Sequence, residues 1–191
     1  MLRHAYFCSQ IINHTTLDQD KKNIILDLGG GYGSLTRLLK NFYRKSTLVI
    51  FEIPETCFLA TYFLKKNFPD LKIGQALDFE KLENIDVKNL EQYDFVVLPQ
   101  PFIEKFNDEI VNLSINTISL GEMTNKTQNH YIKNLERITK DYFYSVNRAN
   151  ERVEKYNAQG FYDWNFTRRW RAKIYNFSST YHIEFLGKKI K

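Results

Sequence analysis

An apolar run that ends in four glycines within five positions, Ile24–Gly33, decides the fold class more than anything else in this sequence. Asn23–Leu28 follows two lysines and has the continuous hydrophobicity of a strand buried on both faces, as in a parallel sheet. Gly29, Gly30, Gly31 and Gly33 then predict a tight turn. Beyond it, Ser34–Arg44 carries Leu35, Leu38, Leu39 and Phe42 at helical spacing. Thr47–Ile53 reads as a second buried strand, stopped by Pro54, and Glu55–Phe68 as a second helix with Phe58, Leu59, Tyr62 and Phe63 as its stripe. Strand, glycine turn, helix, strand and helix in that order make a right-handed βαβ unit on a parallel sheet.

Ligands of such sheets bind at the carboxyl ends of the strands, where this glycine loop lies. A dinucleotide site needs G-x-G-x-x-G, with the third glycine packing helix on strand. Counted from Gly29 that third position is Ser34, and from Gly31 it is Thr36, so neither frame fits. The spacing is D-x-G-x-G-x-G, through Asp27, Gly29, Gly31 and Gly33. An acid two residues before the glycines pairs with an ammonium group and gains nothing from a pyrophosphate. Glu52 ends the second strand 19 residues after Gly33 and is placed to accept from ribose hydroxyls. Together they predict an adenosyl ligand with an amino group and no pyrophosphate: S-adenosylmethionine.

The rest of the chain extends the same architecture. Residues 2–14 predict a short helix, with Leu2, Tyr6, Phe7 and Ile11 about a turn apart. Leu71–Leu77 reads as a short strand and Asp78–Leu90 as a polar helix. Tyr93–Leu98, Val111–Ile115 and Tyr142–Val146 are strands, with a helix over Thr124–Thr139. Trp170–Phe177 and Thr180–Leu186 alternate around Ser178–Ser179 and predict an antiparallel hairpin closing the sheet edge. The expectation is one α/β domain over residues 1–191, Rossmann-like, with a mostly parallel sheet. Between these elements, the aromatic-rich Tyr156–Trp170 reads either as a stacking lid or, through Tyr162, Trp164 and Trp170, as packing against the sheet edge.

Composition narrows the class. A hydrophobic fraction of 43% with 26% charged residues is that of a globular protein, and no apolar run approaches a membrane span. The start of the chain lacks the apolar core of an export signal. Cys8 and Cys57 have no CxxC partner and read as free thiols, so the expected compartment is the cytoplasm. The net charge of +5 is scattered rather than interleaved with an RNA-binding signature, and nucleic acid is not the expected partner.

The stretches ILDLGGGYGSL and VIFEIPE resemble class I S-adenosylmethionine-dependent methyltransferases. Farther along, VNLSINTISLGEM (111–123), YIKNLERI (131–138), YFYSVNR (142–148) and VVLPQPF (96–102) resemble a bacterial family of sugar O-methyltransferases. The resemblance implies that Asp27, Gly29, Gly31 and Gly33 hold the methionine end of the cofactor and Glu52 its ribose. It makes Tyr93–Leu98 the third strand, with Pro99 and Gln100 beside the adenine. The competing reading makes Leu71–Leu77 the third strand, with Asp78 and Phe79 there. Asn116 would end the fourth strand, where cofactor sulfur and acceptor meet. The implied acceptor is a sugar hydroxyl of a glycan or nucleotide-sugar. Family members carry a longer region before the glycine loop than the roughly 20 residues here, so the alternative is a non-catalytic adenosyl-binding module or partner subunit.

Methyl transfer is an in-line displacement at an activated methyl, and positioning can contribute ~7–11 kcal/mol of the barrier. A sugar hydroxyl also needs a base to take its proton. Glu122, six residues past Asn116, and His130 on the next helix are the candidates; each also reads as an ordinary surface residue of its helix. Ser119 reads as a local turn bond, and Asn147, closing the fifth strand, as an acceptor contact. His4, His14, His130 and His182 have no ligand spacing, so no metal is expected.

Overall fold

The computed structural model describes residues 2–150, 159–179 and 181–190. Eight strands form one sheet: β1 (Ile24–Leu28), β2 (Thr47–Glu52), β3 (Ile73–Gly74), β4 (Phe95–Pro99), β5 (Val111–Thr117), β6 (Thr139–Arg148), β7 (Trp170–Ser179) and β8 (His182–Lys189). Their order is β3-β4-β2-β1-β5-β6-β8-β7. The first six run parallel, while β8 is antiparallel to both β6 and β7. The Rossmann-like architecture with a terminal antiparallel hairpin is therefore present as expected.

Alternation along the strands builds two cores. Ile24, Leu26 and Leu28 face Val49, Phe51, Val96 and Leu98 on one side. That side is covered by α5 (Val87–Leu90) and α6 (Asn125–Ile138), through Leu90, Tyr131, Ile132 and Leu135. Ile25, Ile50, Val97 and Ile115 face the other way, under α1 (Leu2–His14), α2 (Ser34–Phe42) and α3 (Pro54–Asn67). Leu35 and Leu39 of α2 are buried as their spacing requires. Both thiols are free, and burial pushes each up to about 11, which leaves them unreactive.

Three expectations change. α3 buries Ala60 and Leu64, while Phe58, Leu59 and Tyr62 of its anticipated stripe face out. An apolar count cannot tell which face of such an evenly hydrophobic helix turns inward; the small Ala60 lets the helix sit close to the sheet. Asp78–Leu90 is not one helix but two single turns, α4 (Ala76–Phe79) and α5, each closed by its own capping box, Gln75 with Asp78 and Asp86 with Asn89. The strand in Leu71–Leu77 shrinks to Ile73–Gly74 at the outer edge. β4 is the strand beside β2, and it pairs Pro99 with Glu52.

Of the aromatic stretch, 151–158, including Tyr156, lie outside the described residues. Phe161, Trp164, Phe166 and Trp170 pack with Phe143 and Phe185 against the hairpin side of the sheet, which is the edge-packing reading for Trp164 and Trp170, whereas Tyr162 is exposed. Glu136 of α6, itself buried, fastens this segment: its carboxylate accepts from Thr167 N (2.8 Å), Thr167 Oγ1 (2.9 Å), Arg168 N (2.8 Å) and Trp170 Nε1 (3.2 Å).

Candidate functional site

The loop between β1 and α2 is held by two hydrogen bonds to the end of β2. Gly29 N donates to Phe51 O of β2 at 2.8 Å, and Gly31 N to Glu52 Oε1 at 2.9 Å. The other Glu52 oxygen accepts from Ile53 N at 2.9 Å. Glu52 thus braces the glycine loop from the neighbouring strand end, and a carboxylate with two acceptor oxygens keeps lone pairs for further donors.

Gly29 and Gly31 answer different needs. A Cβ on Gly29 would overlap the Ser119 hydroxyl, and its φ is +71°. At Gly31 (φ +57°) the space around an added Cβ is empty, so the left-handed backbone is what calls for glycine, and the loop faces an open surface there. Gly33 instead lets Ile50 and Leu64 close in, and opens α2.

Asp27 is buried beneath Gly30. Its Oδ2 accepts from Thr36 Oγ1 at 3.4 Å, and its Oδ1 has no partner. Burial raises its pKa from 3.8 to about 7, against the Thr36 hydrogen bond and with help from the Glu52 charge. An unpaired buried carboxylate oxygen is costly and asks for a donor, ideally a cationic one.

Asn116 sits in β5, one residue before its end, and is fully buried. Its Nδ2 donates to Leu28 O at 2.8 Å and to Ser119 Oγ at 2.6 Å, and its Oδ1 accepts from Leu120 N (3.3 Å) and Asn147 Nδ2 (2.8 Å). Ser119 Oγ also donates to Leu28 O at 3.1 Å, and Asn147 reaches Ser145 Oγ at 2.8 Å. Asn116 and Asn147 are therefore frame residues that tie β5 and β6 to the root of the glycine loop. Ile118, at the bend, takes φ +74°, an uncommon strain for a β-branched residue that this frame holds in place. Sequence reasoning had no signal for Ile118 or for the Gly29–Ser119 contact, which forms across the sheet.

Of the remaining candidates, Gln100 opens the 3-10 turn Gln100–Lys105 after β4, and its Oε1 accepts from Tyr131 OH at 3.2 Å. Asp78 caps Gln75 N at 2.8 Å and Phe79 lies in the core, so the competing pair has structural duties. A cavity of about 220 Å³ lies between Pro54, Cys57 and Phe58 of α3 and Gln75, Val97 and Pro99, at the ends of β3 and β4. Glu122 is exposed at the end of the 3-10 turn Ser119–Glu122. His130 is exposed on α6, 3.3 Å from Glu104 Oε1. The structure brings together Asp27, Gly29, Gly31, Glu52 and Asn116, and leaves His130 on the surface beside the turn after β4. Among the described residues no group of three His, Cys, Asp or Glu side chains is placed to hold a metal ion.

A scan against protein-family models finds no match, and a search of curated proteins finds none. Solved structures do match. The PH0226 protein of Pyrococcus horikoshii OT3 superposes with a TM-score of 0.67 at 11% identity, over 99% of this chain and 91% of that one. Magnesium protoporphyrin IX methyltransferase (ChlM) of Synechocystis PCC 6803, solved with bound SAH, gives 0.66 at 9% identity, over 99% and 82%. A SAM dependent methyltransferase from Aquifex aeolicus gives 0.54 at 12% identity, over 96% and 89%. The fold is that of the class I methyltransferases. Within the methyltransferase fold, the glycine loop and Glu52 occupy the carboxyl ends of the two central strands β1 and β2. No helix among the described residues is long and apolar enough to cross a membrane.

Proposed function

We propose that this protein is an S-adenosylmethionine-dependent methyltransferase acting on a hydroxyl of a small molecule. One observation carries the reading: the buried, unpartnered Oδ1 of Asp27 beneath an open glycine loop braced by Glu52. The residues fit the donor. Asp27 would take its ammonium group, the loop would lie along its methionine part, Glu52 would accept from the ribose hydroxyls, and Pro99 and Gln100, level with Glu52, would border the adenine. When bound, S-adenosylmethionine supplies an activated sulfonium methyl for in-line displacement. The chain's own part is to fix that methyl near the Asn116–Ser119 frame and to present the acceptor to it.

Glu122 is the candidate base nearest that frame in sequence, and its exposure leaves it free to reach a bound acceptor. His130, held by Glu104, is the weaker candidate. The sugar hydroxyl implied by the resemblance rests on residues 111–123 and 131–148. Their best-placed polar side chains, Asn116, Ser119 and Asn147, have their hydrogen bonds inside the frame.

Calorimetry with S-adenosylhomocysteine tests the donor half. Micromolar binding that Glu52→Gln weakens at least tenfold supports it, and no binding by the wild-type chain overturns it. Methyl release from the donor with hydroxylated acceptors then separates an enzyme from a non-catalytic binding module.

A further inference from the structure

A second cavity, of about 480 Å³, lies on the α1 side of the sheet. Its walls are Leu2, Arg3, Tyr6 and Phe7 of α1, and its floor is Ile118 and Val146, with His182 at the side. Ile118 N donates to Val146 O at 2.7 Å, so the floor is the carboxyl end of β5 and β6. Two residues before Ile118, Asn116 holds Leu28 O at the root of the glycine loop. The cavity therefore adjoins the place where a methyl donor on that loop would end. Its volume is that of a small-molecule site.

The lining specifies its occupant. Leu2, Phe7, Ile118 and Val146 offer no hydrogen bonds, so a body studded with hydroxyls would lose water there without replacement. The charge nearby is positive, on exposed Arg3 of α1 and on half-buried Arg148, which pairs with His182 across β6 and β8. Arg3 and Arg148 form no ion pair among the described residues, and after burial itself their charges are the next causes that depress His182. Glu184, the acid beneath, is fully buried and occupied, accepting Tyr6 OH and Tyr144 OH at 2.7 Å each. Tyr6 donates its proton to Glu184, and its oxygen, which the Gln10 side chain also meets, keeps a lone pair for a hydroxyl in the cavity.

We propose that this cavity is an acceptor site for a small apolar acid: a ring-sized body on Phe7, Ile118 and Val146, a carboxylate toward Arg3 and Arg148, and a hydroxyl at Tyr6. Its role as an acceptor site rests on the methyltransferase reading, whereas the binding chemistry follows from the lining alone.

The test uses 4-hydroxybenzoate, its methyl ester and methyl glucoside as probes, titrated into the isotopically labelled protein by NMR. The acid is expected to shift amides of α1 and of residues 118 and 146–148, and to bind at least tenfold tighter than the ester. Methyl glucoside is expected to cause no shifts there. Arg3→Ala and Arg148→Ala should each weaken the acid at least fivefold and leave the ester unchanged. Equal binding of acid and ester, shifts confined to other surfaces, seating of the glucoside in this cavity, or indifference to both arginine variants would overturn the proposal. S-adenosylhomocysteine binding, measured on the same samples, reports fold integrity. Its absence in the wild type would sink the methyltransferase reading while the acid titration stays readable. Val146→Phe, which fills the cavity, should abolish the acid shifts and keep S-adenosylhomocysteine binding.

Discussion

Replacing Asp27 with Asn removes an ionisation that the fold resists. Burial raises the Asp27 pKa from 3.8 to about 7, so the folded protein holds this proton to higher pH than the unfolded chain does. The sign follows: Asp27 costs nothing below pH 4, and its penalty grows as pH rises from about 4 to about 7, where it levels at about 4 kcal/mol. Between pH 5 and pH 8 the wild type should lose about 3 kcal/mol relative to Asp27→Asn, read from urea unfolding of the ligand-free proteins. The comparison with Asn cancels the other titrating groups, because Asn occupies the same space and carries no proton to lose. An ammonium-bearing ligand works against this penalty, since it pairs with the ionised form. Wild-type affinity for S-adenosylhomocysteine should therefore weaken about tenfold per pH unit below 7, roughly a hundredfold by pH 5. Asp27→Asn should bind weakly with a flat profile. Parallel stability curves for the two proteins, or a wild-type affinity constant from pH 5 to 8, would refute the assignment of Asp27 as the ammonium partner.

Gly29→Ala drives a methyl into the Ser119 hydroxyl and should destabilise the fold by about 2–4 kcal/mol; Ser119→Gly should restore part of it, leaving about 1–2 kcal/mol for the left-handed backbone, by thermal unfolding. Glu52→Gln removes charge from the loop brace, and calorimetry should show S-adenosylhomocysteine binding weakened about 10–100-fold at a cost in stability of about 1 kcal/mol. Glu136→Ala strips four donors of their acceptor and should cost about 3–5 kcal/mol in urea unfolding, while the affinity of the folded protein for S-adenosylhomocysteine stays within twofold.

The glycine loop and its brace are legible in the sequence because they are local. Strand, glycine turn and helix follow one another, and Glu52 is one strand away, so spacing alone sets Asp27, Gly29, Gly31 and Glu52 close together. Polar residues at strand ends are harder. Asn116 reads as a ligand contact, yet its amide is taken up by Leu28 O, Ser119 and Asn147, a network that exists only once β5 and β6 pair. The α3 stripe misled for a related reason. Phe58, Leu59 and Tyr62 outweigh Ala60 in hydrophobicity, but close approach to the sheet favours the smaller residue. The split of 78–90 turns on Asp78 and Asp86, whose carboxylates each close a turn instead of lying along a polar helix face.

The bond from Tyr6 to Glu184 joins residues 178 positions apart and sets the order in which the molecule becomes competent. Gly29, Gly31 and Glu52 are joined within the first βαβ unit, and Asn116 and Ser119 of the β5 end close the root of the loop. The cavity between α1 and the β6–β8 pair exists only after the hairpin has docked and α1 has been drawn onto it, a contact with a large loop-closure cost. A chain whose hairpin has opened would keep the glycine loop and Glu52 and lose the cavity beside α1. Order at the glycine loop is thus a poor gauge of complete folding in this protein, and hydrogen exchange at Tyr144 and Leu186 is a better one.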